Sequence, residues 1–207
     1  MAKNFGKLKV HNLATIAVLG AVSSVLFLIE IPVFPAVPFY KLDLSNVPAL
    51  LGAFAMGPWQ GVAVVLLKAL IGLTHTSTTG VGELADFLMG AAMMIPAGYI
   101  YRCRRQRVGA LWGMAAGLVC ATAAAAMINL WVLIPFYAWA FKMPIDAIIA
   151  MGSKLFPAVN SLERFVLLVT VPFNLIKWTV ISVVTLLIYK PLSPILHEKR
   201  VSEVKKP

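Results

Sequence analysis

Five apolar runs, near residues 12–30, 46–73, 80–101, 109–140 and 161–190, leave only short polar joints between them. A bilayer crossing needs about 20 mostly apolar residues, so these runs are membrane segments. With 60% hydrophobic and 13% charged residues, the chain carries more apolar surface than a soluble core of this size hides. The joints leave no room for a soluble domain, so residues 1–207 read as a single all-α membrane domain with cytoplasmic tails at 1–11 and 191–207. Lys3, Lys7 and Lys9 precede an apolar stretch from Leu13 to Ile29, which is longer than the h-region of a secretory leader and lacks a small-x-small cleavage site. It is kept as the first span.

The second run decides the topology. Read as one helix, it gives five spans and puts "RCRRQR" (102–107) and the basic C-terminal tail on opposite sides, against the positive-inside rule. "MGPWQG" (56–61) offers a break, because Pro58 lacks an amide hydrogen and Gly57 and Gly61 favour a turn. A hairpin with arms at about 46–56 and 58–73 then gives six spans with both termini cytoplasmic. Twelve basic residues fall inside (Lys3, Lys7, Lys9, Arg102, Arg104, Arg105, Arg107, Lys190, Lys199, Arg200, Lys205, Lys206), while Lys41, Lys142, Lys154 and Arg164 fall in or near external loops. The net charge of +10 is thus a signature of topology, and no nucleic-acid partner is expected. Long external connections, at 31–46, 74–80 and 141–163, suit lids; Pro32, Pro35 and Pro38 favour an extended first one.

Polar residues stranded at depth are costly and mark function. Lys177 lies about twelve residues from each end of its run, too far for an easy snorkel, so it faces protein or water. Asn174 precedes it by three positions on the same helix face, and Pro172 frees a backbone carbonyl nearby. Asn129, among Trp131, Phe136, Tyr137 and Trp139, adds a second amide; alone it could equally be interhelical glue. Two amides, an ammonium and several rings suit a flat heteroaromatic ligand with donors and acceptors on one edge. Lys68 reads as a structural ion pair with Glu83 or Asp86, and Glu30 as an interfacial residue. "TSTTG" (76–80) offers hydroxyls to a ligand or to a turn. In the first span Ala14, Ala17, Gly20, Ala21 and Ser24 form a small-residue stripe, with Ala17 and Ala21 spaced for close approach of another helix.

No phosphate loop, HExxH, GxSxG or paired-carboxylate motif is present, so an enzyme is not expected. Cys103 and Cys120 have no CxxC spacing and the three histidines are scattered, so neither a disulfide framework nor a metal site is expected.

"YKLDLSNVPALLGAFAMGP" (40–58), "STTGVGELADFLMGAAMMIPAGYIY" (77–101), "NLWVLIPFY" (129–137) and "PFNLIK" (172–177), in this order, resemble the riboflavin-specific substrate-binding (S) components of energy-coupling factor (ECF) transporters, the RibU group. The resemblance implies a six-helix S-component fold in the lipid membrane, a flavin site near the external side closed by the first loop, and association with a transmembrane coupling subunit and two ATPases. It implies that Asn129, Asn174 and Lys177 contact the polar edge of the isoalloxazine, that Lys41, Leu42 and Asp43 contribute to the lid and ribityl environment, and that Thr79 and Glu83 belong to the same site. The Ala17/Ala21 pair matches the place where S components meet the coupling subunit, and Asp86 departs from an expected Asn. Riboflavin would be transported substrate, with no cofactor. It is neutral, with a broad ring for aromatic contact and a uracil-like edge for groups that donate and accept. An S component for another vitamin, or an ion-coupled carrier using Lys68, Glu83 and Asp86 as a proton relay, is the alternative.

Overall fold

The computed structural model describes residues 2–76, 79–140 and 142–204, with side chains described for 10–76, 79–140 and 142–189. The basic side chains expected at Lys3, Lys7, Lys9, Lys190, Lys199, Arg200, Lys205 and Lys206, and the hydroxyls of Ser77 and Thr78, lie outside the described residues. Seven helices form among those described: α1 (Ala2–Phe27), α2 (Asn46–Ala55), α3 (Pro58–Gly72), α4 (Val81–Cys103), α5 (Arg107–Ala140), α6 (Ile145–Ser153) and α7, which opens at Leu162–Phe165 and runs on through Val171–Val204. Within the described residues four helical stretches are long and apolar enough to cross a membrane, at Val10–Phe27, Val81–Cys103, Arg107–Ala140 and Leu162–Tyr189. The chain is a multi-pass membrane protein.

The second apolar run is broken where its glycines and proline predict. Gly57 takes φ 130°, a conformation open to glycine, and Pro58 starts α3 at the first-turn position where its missing N–H matters least. The two arms are short: α2 has 10 residues and α3 has 15, or about 15 and 22 Å at 1.5 Å per residue, less than the ~30 Å hydrocarbon core. Burial by neighbours answers the mismatch for α2, since Asn46, Val47, Pro48, Ala49, Leu50, Gly52, Ala53 and Phe54 are all inside the bundle.

α4 packs most extensively on α5 and also on α3, while α1 lies along α3. The α4/α5 seam is set by glycine: a Cβ on Gly113 would stand 2.7 Å from the Ala97 carbonyl oxygen, so only glycine permits this backbone approach. Two apolar cores result. One joins α2, α3, α4, α5 and α7 around Leu50, Val65, Met93, Met94 and Trp178; the other joins the first loop, α5, α6 and α7 around Val37, Ile134, Ile148, Phe165 and Phe173.

The chain departs from an all-helical expectation in the first loop. The three prolines do not hold it as one extended strand; it folds back as a two-residue ladder, β1 (Ile31–Pro32) with β2 (Lys41–Leu42), and the turn between drives Val37 and Tyr40 inward. The connection 141–163, expected as loop, contains α6, whose Ile148 and Gly152 are buried against the second core. An amphipathic helix of nine residues is easily hidden in a sequence whose flanks, Pro144 and Pro157, read as loop punctuation.

α5 and α7 each widen into a π-helical turn, at Asn129–Leu133 and Val166–Thr170. In both cases a proline follows two residues later, Pro135 and Pro172. A proline inside a helix offers no N–H and its ring crowds the carbonyl four residues back, and a wider turn relieves both problems. The consequence is local: both π turns carry a buried polar side chain, Asn129 in one and Thr170 in the other.

Candidate functional site

A cavity of about 390 Å³ opens between the first loop, the start of α4, the last third of α5 and the first half of α7. Asn129, Asn174 and Lys177 all reach its wall, although they come from two helices. All three are buried. Each amide is fixed by bonding back one turn: Asn129 Nδ2 donates to the Ala125 carbonyl at 2.8 Å, and Asn174 Nδ2 to the Thr170 carbonyl at 2.9 Å. That leaves the second N–H of each amide, and the side-chain oxygen of Asn174, for a guest.

Lys177 has partners that the sequence alone did not pick out. Its Nζ donates to Asp43 Oδ2 at 2.9 Å and to Asp86 Oδ1 at 3.2 Å, and a third proton remains for the cavity. Asp86 also pairs with Lys68, the first of the two partners expected for that lysine being Glu83, whose carboxylate instead accepts from Thr76 Oγ1 at 2.9 Å. Lys68 donates further to Ser45 Oγ at 2.9 Å and Asn46 Oδ1 at 3.1 Å, and Ser45 closes the circuit with its N–H and hydroxyl on Asp43 Oδ1. Two ammonium groups thus face two carboxylates in a line running from the first loop through α7 and α4 to α3. The line is neutral in sum, and it ties Asp43 of the first loop to the bundle.

Lys41 and Glu30 meet at the cavity rim at 2.5 Å, so Glu30 is a lining residue and not merely interfacial. Glu83 and Asp43 also line the cavity. Leu42 and Thr79 lie off the described wall: Leu42 is committed to the ladder opposite Ile31, and Thr79 is exposed with φ 58°, two residues before the α4 start.

The aromatic wall differs from the one expected. Trp131 and Trp139 are 70% and 76% exposed and point away, and the α5 residues that line the cavity are Asn129, Leu133 and Tyr137, spaced four apart on one face. The rings that line the cavity are Phe27, Phe39, Tyr40, Tyr137, Phe173 and Trp178. Tyr40 is the residue that sequence reasoning missed. Its hydroxyl donates to Asn129 Oδ1 at 3.1 Å and shares a 2.5 Å hydrogen bond with Thr170 Oγ1, while its ring stacks on Phe173 at 4.8 Å. Burial pushes the hydroxyl above its ordinary pKa, so it stays protonated and able to donate. A tyrosine ending a proline-punctuated loop, beside "KLD", was the available signal: an apolar ring with one polar tip fits a half-wet site.

A mostly apolar, ring-lined cavity with a few fixed donors and acceptors, embedded among membrane helices, defines a small-molecule-binding membrane protein. The chain belongs to the family "ECF transporter, substrate-specific component", whose model matches residues 11–189. Members of this family are transporter subunits, not enzymes. Among relatives, the riboflavin transporter RibU of Staphylococcus aureus (strain TCH60) is 34% identical over 89% of this chain and 92% of its own length. The riboflavin transporter FmnP of Bacillus subtilis (strain 168) is 28% identical over 95% of this chain and 100% of its own. A solved S component of a bacterial ECF transporter superposes with a TM-score of 0.71 at 30% identity, covering 91% of this chain and 99% of that one.

Proposed function

We propose that the chain is the riboflavin-binding S component of an ATP-driven ECF transporter, capturing the vitamin outside the cell and releasing it to the cytoplasm. The observation that carries this reading is the convergence of Asn129, Asn174 and Lys177 on one ring-lined cavity, in a chain whose relatives are named riboflavin transporters. The amides and the remaining ammonium proton recognise the carbonyls and N–H of the isoalloxazine edge, and the rings cover its faces. Lys41 and Asp43 serve the lid and the ribityl tail, with Leu42 holding the lid ladder, and Glu83 lines the same cavity, while Thr79 stands off its wall. The ion line carries no net charge in sum and so suits an uncharged guest.

The hairpin α2/α3 counts as two short spans, which gives six with both termini in the cytoplasm. The transmembrane coupling subunit meets α1 at Ala17 and Ala21, and two ATPase subunits supply the energy. Exposure of Ala17 and Ala21 on α1 supports this placement. Titration of riboflavin into the purified protein, followed by quenching of flavin emission, tests the substrate. Saturable quenching at one flavin per chain is expected, and no quenching at micromolar protein would end the proposal.

A further inference from the structure

At the end of the bundle away from the cavity, four arginines lie in six residues where α4 ends and α5 begins: Arg102, Arg104, Arg105 and Arg107. All four are exposed. The six carboxylates between residues 10 and 189 (Glu30, Asp43, Glu83, Asp86, Asp146 and Glu163) precede or open α4, or follow α5. Among the described residues none forms an ion pair with these arginines. The loop is held compactly, with Gln106 N–H on the Arg104 carbonyl at 2.8 Å and Ala110 N–H on the Gln106 carbonyl at 3.1 Å. Beside it three large rings from three helices are turned outward: Trp59 at the start of α3, Tyr99 near the end of α4 and Trp112 near the start of α5, 61%, 46% and 64% exposed. Trp59 Nε1 donates to the Tyr99 hydroxyl at 3.2 Å, which fixes two of the rings as a pair.

Exposed Trp and Tyr with apolar bodies and polar tips settle at the headgroup level of a bilayer, so the three rings mark the interface at this end. The guanidinium forks beside them match phosphate oxygens bidentately. We propose that this arginine loop and its aromatic flank form a binding site for the headgroup of an anionic phospholipid. No described side chain neutralises the charge, and rings placed at the lipid interface would be wasted on a water-soluble partner. This site does not depend on the transport reading.

The full-length protein, in micelles holding equal amounts of phosphatidylglycerol and phosphatidylcholine, is read by native mass spectrometry for the ratio of bound lipids. Each basic residue near a membrane surface attracts anionic lipid by about 1 kcal/mol, roughly fivefold, so retention of phosphatidylglycerol at least about fivefold over phosphatidylcholine is expected. The combined change Arg102→Gln, Arg104→Gln, Arg105→Gln and Arg107→Gln should lower the ratio at least about fivefold, with retained helical circular dichroism as the sign of a folded chain. Removing Lys142, Lys154 and Arg164 in the same way should leave the ratio unchanged. An unaltered ratio in the arginine variant, as expected if the loop serves a partner protein, overturns the proposal; so does an equal loss in the control variant, or displacement by equimolar glycerol phosphate. Should the arginine variant not fold, brominated lipids decide in the unmodified protein: stronger quenching of tryptophan emission by the anionic form supports the site, and equal quenching by both forms overturns it.

Discussion

Lys177 shows what a single residue in a low-dielectric site must negotiate. Its ammonium is neutralised by Asp43 and Asp86, and Asp86 is neutralised in turn by Lys68. Removing one member orphans another, whereas removing a matched pair does not. Lys68→Met is therefore expected to destabilise the protein by roughly 3 kcal/mol, and Lys68→Met with Asp86→Asn by much less. Thermal unfolding in detergent checks this, and equal losses in the two variants would contradict the ion line. Asn174→Ala leaves the charges alone and removes a fixed amide from the cavity wall, so it should weaken riboflavin binding by about 1–3 kcal/mol with little change in unfolding temperature. Flavin quenching reads the first quantity; unchanged affinity would remove Asn174 from the site. The sequence marked Lys177, Asn174 and Asn129 as functional because polar groups at depth are rare. It did not pair Lys177 with Asp43, because 134 residues separate them and no periodicity links a loop to a helix that far away.

At the scale of elements, small residues and prolines set the geometry. Gly113 lets α5 approach α4, and Gly113→Val drives a side chain into the Ala97 carbonyl. Overpacking of this kind costs about 1–3 kcal/mol, and a lowered unfolding temperature with weakened flavin binding is expected, since α4 and α5 both carry cavity residues. Preserved unfolding temperature would mean that the seam yields. The break at Gly57–Pro58 was legible because each residue has a fixed backbone preference. The π turns were not, since Pro135 and Pro172 announce only a disturbance, and whether a helix kinks or widens depends on what packs around it. The small-residue stripe of α1 likewise read as one face but divides in the fold: Gly20 packs against Leu67, while Ala14, Ala17 and Ala21 look outward.

For the whole molecule, the outward row of α1 and the inward cavity are separate surfaces, so a lesion in one should spare the other. Ala17→Trp is expected to leave riboflavin binding by the isolated chain intact and to abolish uptake in cells that contain the coupling subunit and ATPases. Persistent uptake would show that α1 is not the docking surface. Hydrophobic run length and buried-charge rarity are properties of composition along the chain, and they settled by themselves that this is a membrane protein with polar residues at depth. Its motifs, in order, pointed to the family. Which groups meet is different in kind. That Tyr40 caps Asn129, that Trp131 and Trp139 face away, and that two lysines share Asp86 follow from helix rotation and loop closure, and these are fixed only when all the elements pack together.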